Sequence, residues 1–236
     1  MFRHRGKTRN YTHNLKIASL LSFVAGIVNV IGFFAVQRLT TNVTGHFAFF
    51  IDEVFKLNFY NGFIFFLFIF FFFAGSFFSN LLIELVSRKN DHYIYIVPAT
   101  FECAILYITG FFGHLFSPDL TACILLFAMG LQNSLVTSIS NSVVRTTHLT
   151  GLFTDLGIDL SQLFFYKSSG QRKKLRRSVR LRLFIISFFF LGGIAGGILF
   201  TFFKIHGLIF AGIVLTAALL FDNIRYRILL LSRKYI

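Results

Sequence analysis

The chain is predicted to be an all-α, polytopic membrane helix bundle. About six spanning helices, two short broken or half-helices and an inverted internal repeat make it up. Three observations predict this. Of the 236 residues, 56% are hydrophobic and 14% charged, with mean hydropathy +0.73 and 36 Phe; a soluble domain carries roughly 25% charged residues. Apolar runs near the ~20 residues that cross a ~30 Å hydrocarbon layer recur along the chain. A short Thr-Thr-x-x-Thr-Gly motif occurs twice, each time in the same setting.

The elements follow in order. Residues 1–16 form a basic arm with Arg3, Arg5, Lys7, Arg9 and Lys16. The apolar run Ile17–Val36 exceeds the 7–15-residue core of a signal peptide and lacks an A-x-A exit, so it is the first membrane helix. Strong runs lie at 16–37, 60–86, 93–113, 120–144, 183–204 and 207–224. Backbone groups in lipid must be satisfied internally, so each run is helical. The barrel alternative needs alternating strands, and Phe65 to Phe73 does not alternate.

Two further segments are helical but short. One covers 44–58 with Asp52, Glu53 and Lys56; the other covers 150–165 with Asp155, Asp159 and Gln162. Fifteen residues reach only ~22 Å, and each central charge facing lipid costs about 2.5–3.5 kcal/mol. Neither is expected to cross. The stretch 166–182 is expected to be a basic cytoplasmic loop, with Lys167, Arg172, Lys173, Lys174, Arg176, Arg177, Arg180 and Arg182 and no acid. Its plain reading is a topology determinant; the sharper one is a segment that meets anionic lipid or regulates.

The net charge of +14 does not point to nucleic acid, because no soluble domain is left to present a binding face. Cys103 and Cys123 sit in apolar runs without metal-type spacing, and no cofactor or metal is expected. H-E-x-x-H, G-x-S-x-G and G-x-x-x-x-G-K-[ST] are all absent, so an enzyme is not expected.

The repeat divides the chain. Thr40-Thr41-Asn42-Val43-Thr44-Gly45 recurs as Thr146-Thr147-His148-Leu149-Thr150-Gly151, and Gly26 to Asn29 parallels Gly130 to Asn133. The halves are 17–115 and 116–236, each a helix, a break, a short helix and two long helices. If each half crosses three times with both termini cytoplasmic, only Arg38, Lys56 and Lys204 escape the basic side. An eight-span alternative, with the short helices crossing, distributes the cations less unevenly. Three crossings per half make the halves inverted, a plan recurrent among secondary transporters, whose substrates bind where broken helices meet.

That plan names candidate residues. A helix start carries unpaired N–H groups and about half a positive charge. Thr44 and Thr150 are expected to cap such starts, and Gly45 and Gly151 to allow close backbone approach. Thr41, Thr147, Asn29 and Asn133 add polar groups to an expected shared cavity for a small polar or anionic solute. Asp52, Asp155, Asp159 and Glu102 are candidates for proton coupling. The plainer readings are connecting turns for Thr-Gly, interhelical hydrogen bonding for the Asn pair and interfacial solvation for the Asp residues. Gly192, Gly193, Gly196 and Gly197 form overlapping GxxxG patterns that fit helix packing or a homo-oligomer interface.

The paired blocks, Gly26 to Asn29 with Thr44-Gly45 and Gly130 to Asn133 with Thr146 to Gly151, resemble the YoaK family of bacterial inner-membrane proteins. The resemblance spans nearly the whole chain and implies a multi-pass protein of the inner (plasma) membrane, without naming a substrate. The family pattern carries Asp where Asn29 stands and Asn where His46 stands, so a coupling role for that Asp is not carried over. The functional expectation is a small-solute permease embedded in the lipid bilayer. Its rival is a structural or regulatory membrane protein.

Overall fold

A computed structural model describes residue 2 and residues 9–89, 93–166 and 168–234, with 225–234 described by backbone alone. Residues 3–8 of the basic arm, Lys167 and the side chains of the last basic cluster therefore lie outside the described residues. The structure is all-α. Its helices are α1 (Tyr11–Val36), α2 (Val43–Phe55), α3 (Phe59–Ser87), α4 (Ile96–Phe112), α5 (Pro118–Ser140), α6 (Leu149–Phe165), α7 (Ser169–Phe203) and α8 (Leu208–Lys234). Short 3-10 turns at Gly113–Leu115 and Lys204–Gly207 lead into α5 and α8.

Local chemistry sets many of these limits. The Asn10 side chain accepts from the His13 N–H, and His13 reaches back to the Asn10 N–H, which starts α1. The Asn58 and Ser117 side chains cap α3 and α5 by accepting from the Asn61 and Leu120 N–H groups, and Pro118 occupies the first turn of α5. α1 and α5 each end on a left-handed residue, Gln37 and Asn141, both at φ 52°. Asn tolerates that conformation better than most side chains do. The two positions are equivalent in the repeat.

Five stretches are long and apolar enough to cross a bilayer: Tyr11–Val36, Phe59–Ser87, Ile96–Leu115, Pro118–Ser140 and Ser169–Ile224. The fifth contains α7 and the first part of α8. Packing gives their directions. α7 runs parallel to α1, with Gly26 against Phe189 and Gly193, and Gly196 against Ile27. α8 returns antiparallel to α4, with Gly110 against Ile209 and the Tyr107 hydroxyl 3.1 Å from that of Thr216. Six long helices thus alternate in direction along the bundle, and α2 and α6 are short helices laid against α3 and α7.

The packing repeats under a pseudo-two-fold. The most extensive contacts are α1 with α7 and α3 with α5, the first long helix of each half against the second long helix of the other. The residues correspond. A Cβ on Gly26 would run into the carbonyl oxygen of Phe189, and one on Gly130 into that of Phe72; Gly192 meets the carbonyl of Phe23, and Gly75 that of Phe127. α1 and α5 are antiparallel, since Gln132 on α5 reaches Leu21 on α1 while Gly32 abuts Leu125. The halves are therefore inverted and intertwined. Interiors of this kind are packed by small residues because lipid supplies no hydrophobic drive between helices. Large Phe side chains, among them Phe73, Phe77, Phe190 and Phe202, face outward.

One expectation is corrected. The basic stretch 166–182 is not a loop: from Ser169 onward it is the first part of α7, continuous with the apolar run. Lys, Arg and Leu are good helix formers, and no Pro interrupts them. Charge density made the stretch look like a loop, but charge does not oppose a helix outside the hydrocarbon.

Candidate functional site

The two helix breaks were the expected site. Each chain segment turns back along the helix it has just left. The Thr41 hydroxyl donates to Asn29 Oδ1 at 2.7 Å, and Asn133 Nδ2 donates to Thr147 Oγ1 at 2.6 Å. Thr40 is buried against Val28 and Gly32, while buried Thr146 accepts from Gln132 Nε2 at 3.1 Å. Asn29 and Asn133 lie about two turns before their helix ends. The re-entrant segments therefore sink roughly 12 Å back along the bundle, at 1.5 Å per residue. Asn29 with Thr41 and Asn133 with Thr147 are brought together within each half, as symmetric clasps.

Across the halves they are not. Gln132 Nε2 also donates to the Leu21 carbonyl at 3.0 Å, which puts the second clasp near Leu21. The first clasp sits eight residues further along α1, again roughly 12 Å away along the axis. Between them pack Val24, Val28, Leu125 and Met129, all fully buried. Among the described residues these side chains of α1 and α5 fill the space between the two helix starts, so the starts do not face each other across a common pocket.

The caps also differ from expectation. Asn42, not Thr44, caps α2, accepting from the Gly45 N–H at 3.0 Å, and His148 holds that position in α6 without a side-chain bond. Thr44 and Thr150 sit one residue inside their helices and are exposed. Gly45 makes room for Leu39, and Gly151 for the His148 ring. Both glycines make room for the turn of the chain.

The acidic candidates separate by environment. Asp52 is exposed and pairs with Lys56 one helical turn on, at 2.6 Å; that hydrogen bond pushes the Lys56 ammonium pKa up. Asp155 and the buried Asp159 on α6 both face Arg182 of α7, which also bonds Ser178. Glu102 on α4 is fully buried, and neither carboxyl oxygen has a hydrogen-bond partner among the described residues. The Ser22, Ser79 and Gln132 side-chain oxygens share that condition. Ser22 adjoins Leu21, and Ser79 lies three residues beyond Ser76, whose hydroxyl donates to the Gly130 carbonyl. These atoms thus gather in the band of the bundle where Gln132 crosses α1.

Arg182, Ser22 and Ser79 were not singled out from the sequence. Arg182 was hidden in a run of cations. A helical register for 169–182 would have set it opposite Asp155 and Asp159. For single serines in apolar helices the sequence carries no such signal.

The family described as protein of unknown function (DUF1275) matches residues 17–221. No curated protein and no solved structure matches the chain.

Proposed function

The chain belongs to the family of unknown function DUF1275, and we propose that it is a solute permease of the inner membrane, of the YoaK type, moving a small polar or anionic solute by rocking of one half against the other. The observation that carries this reading is the intertwined inversion of the halves. Two copies of one fold in opposite orientation can exchange conformations, and each exchange opens the opposite face of the membrane. The sealed interior corresponds to an occluded state in such a cycle. The Asn29–Thr41 and Asn133–Thr147 clasps would anchor the re-entrant segments as each half moves.

Glu102 is the coupling group this reading favours over Asp52, Asp155 and Asp159. The three Asp residues have cationic partners, whereas neither Glu102 carboxyl oxygen has a hydrogen-bond partner among the described residues. An unpaired ionisable group at such depth is costly to keep and tends to mark an ion pathway. Glu102→Gln is expected to keep the fold, melt at or above the wild-type temperature, and abolish solute-driven proton movement. The measurement uses protein in liposomes with a trapped pH dye, challenged with carboxylates, phosphate, sulfate, amino acids and sugars. A well-folded wild type that moves protons or exchanges label with none of these classes would remove the permease reading. That result would favour a structural or regulatory protein, for which the internally bonded Thr hydroxyls of the two breaks already speak.

The bundle end that holds the start of α1 and the basic part of α7 is taken as cytoplasmic, with both termini there, by the excess of cations. Single cysteines at Arg88 and Gln171, in a background lacking Cys103 and Cys123, are expected to react with an impermeant maleimide only from the cytoplasmic side, and one at Leu115 only from the other. The opposite pattern would invert the orientation.

A further inference from the structure

We propose that the groove between the start of α1 and the basic part of α7 binds an anionic phospholipid, phosphate at the end of the bundle and acyl chain below it. This inference is independent of transport.

The basic segment is a helix, so its cations are sorted by face. Ser169, Arg172, Lys173, Arg176, Arg177 and Arg180 follow the i, i+3, i+4, i+7 spacing of one stripe and line a groove of about 770 Å³. Tyr11 and Thr12 form its other wall. The opposite side of the same helix is neutralised, since Arg182 pairs with Asp155 and Asp159. Among the described residues no carboxylate lines the groove. Five cations facing one space without a counter-charge repel one another, and an anion placed there relieves all five.

The groove also offers hydrogen-bond donors. The Tyr11 hydroxyl is shielded from solvent yet has no hydrogen-bond partner among the described residues, and the Arg177 guanidinium lies 5.8 Å from the centre of its ring. Guanidinium groups bind phosphate oxygens in bidentate fashion, which makes Arg the fitting residue here.

The walls continue toward the apolar part of the bundle, and this selects a lipid over free phosphate. Along α7 the stripe Lys173, Arg177, Arg180 runs on to Phe184 and Phe188. Along α1, Tyr11 and Thr12 run on to Leu15, Lys16, Ser19 and Leu20. Leu15, Lys16, Ser19, Leu20, Phe184 and Phe188, with Ala218, Phe221 and Asp222 of α8, line a second, mainly apolar groove of about 510 Å³; its one carboxylate, Asp222, is on α8 and does not line the groove of the α7 cations. Arg180 marks the junction, its guanidinium 5.5 Å from the Phe184 ring centre. A cationic site that passes over one helical turn into a mainly apolar one has the amphiphilic profile of a phospholipid.

The test is a thermal-shift titration of full-length protein in a neutral detergent with short-chain phosphatidylglycerol, short-chain phosphatidylcholine, glycerol phosphate and inorganic phosphate. Phosphatidylglycerol is expected to raise the melting temperature saturably, phosphatidylcholine and the two water-soluble phosphates to do so at least tenfold less effectively. Arg176→Gln with Arg177→Gln should weaken the phosphatidylglycerol effect at least tenfold. Arg176→Lys with Arg177→Lys should retain part of it, and Lys174→Gln, off the stripe, should leave it intact. Equal shifts by both lipids, or an unchanged response in the Gln pair, would overturn the proposal. A full effect from inorganic phosphate would also overturn it, assigning the cations to a soluble anion.

Discussion

Gly130→Val is expected to destabilise the bundle by about 3 kcal/mol or more, at the upper end of what overpacking a well-packed interior costs. The reason is specific. The nearest atoms to a new Cβ are the carbonyl oxygen of Phe72 and the backbone of Ser76, which belong to the facing helix and cannot rotate away. The helices must separate, and the Ser76 hydroxyl then loses its 3.0 Å bond to the Gly130 carbonyl. Gly26→Val should behave alike, because Gly26 meets Phe189 and Gly193 in the symmetric position. Gly157→Ala is the control: nothing lies within 4 Å of its Cβ position, and in a helix interior the change should stabilise by about 0.5–1 kcal/mol. Thermal unfolding followed by size-exclusion chromatography in detergent measures all three. A Gly130→Val protein melting within a degree or two of wild type would contradict the close α3–α5 packing. A large difference between Gly26→Val and Gly130→Val would contradict the symmetry of the halves.

Arg182→Met should be at least as damaging, by about 3–5 kcal/mol, the range for removing one partner of a buried ion pair. Its side chain is 21% exposed and that of Asp159 only 13%, so the loss strands a carboxylate between α6 and α7. Asp155 is 54% exposed and can hydrate, so Asp155→Asn should do little. The double variant Asp159→Asn with Arg182→Met should recover most of the loss, since the penalty arises from the uncompensated charge and not from the missing attraction. A thermal-unfolding double-mutant cycle measures the coupling. Additive losses in the double variant would show that Arg182 acts through packing alone. The exposed pair Asp52–Lys56, on the equivalent short helix of the other half, should give no measurable coupling.

Much of this was legible before any coordinates. Hydropathy located the long helices because lipid leaves the backbone no alternative to a helix, and two Thr-Thr-x-x-Thr-Gly motifs located the turns where the chain re-enters. The charges at Asp52, Glu53, Asp155 and Asp159 set the short helices apart from the long apolar ones. The start of α7 was missed because a run of cations has the composition of a loop, while the stripe that reveals it as a helix appears only when its register is set against α1 and α6.

The candidate site was legible only within each half. The sequence matched Asn29 with Asn133 and Thr41 with Thr147 as equivalent residues, and each Asn does hold its own Thr. That the two clasps lie roughly 12 Å apart along the bundle, with Val28 and Met129 sealed between them, depends on how α1 slides against α5.

The amino-acid sequence by itself determined a multi-pass, inverted-repeat helix bundle, because apolar length and a duplicated motif are local properties that the membrane converts directly into helices. Only the tertiary structure decided that Arg182 neutralises Asp159, that Glu102 is buried without a hydrogen-bond partner among the described residues, and that the cations of α7 share a groove with Tyr11. Charges interact over a few ångströms in space, and helix register and packing, not proximity along the chain, select which of them meet.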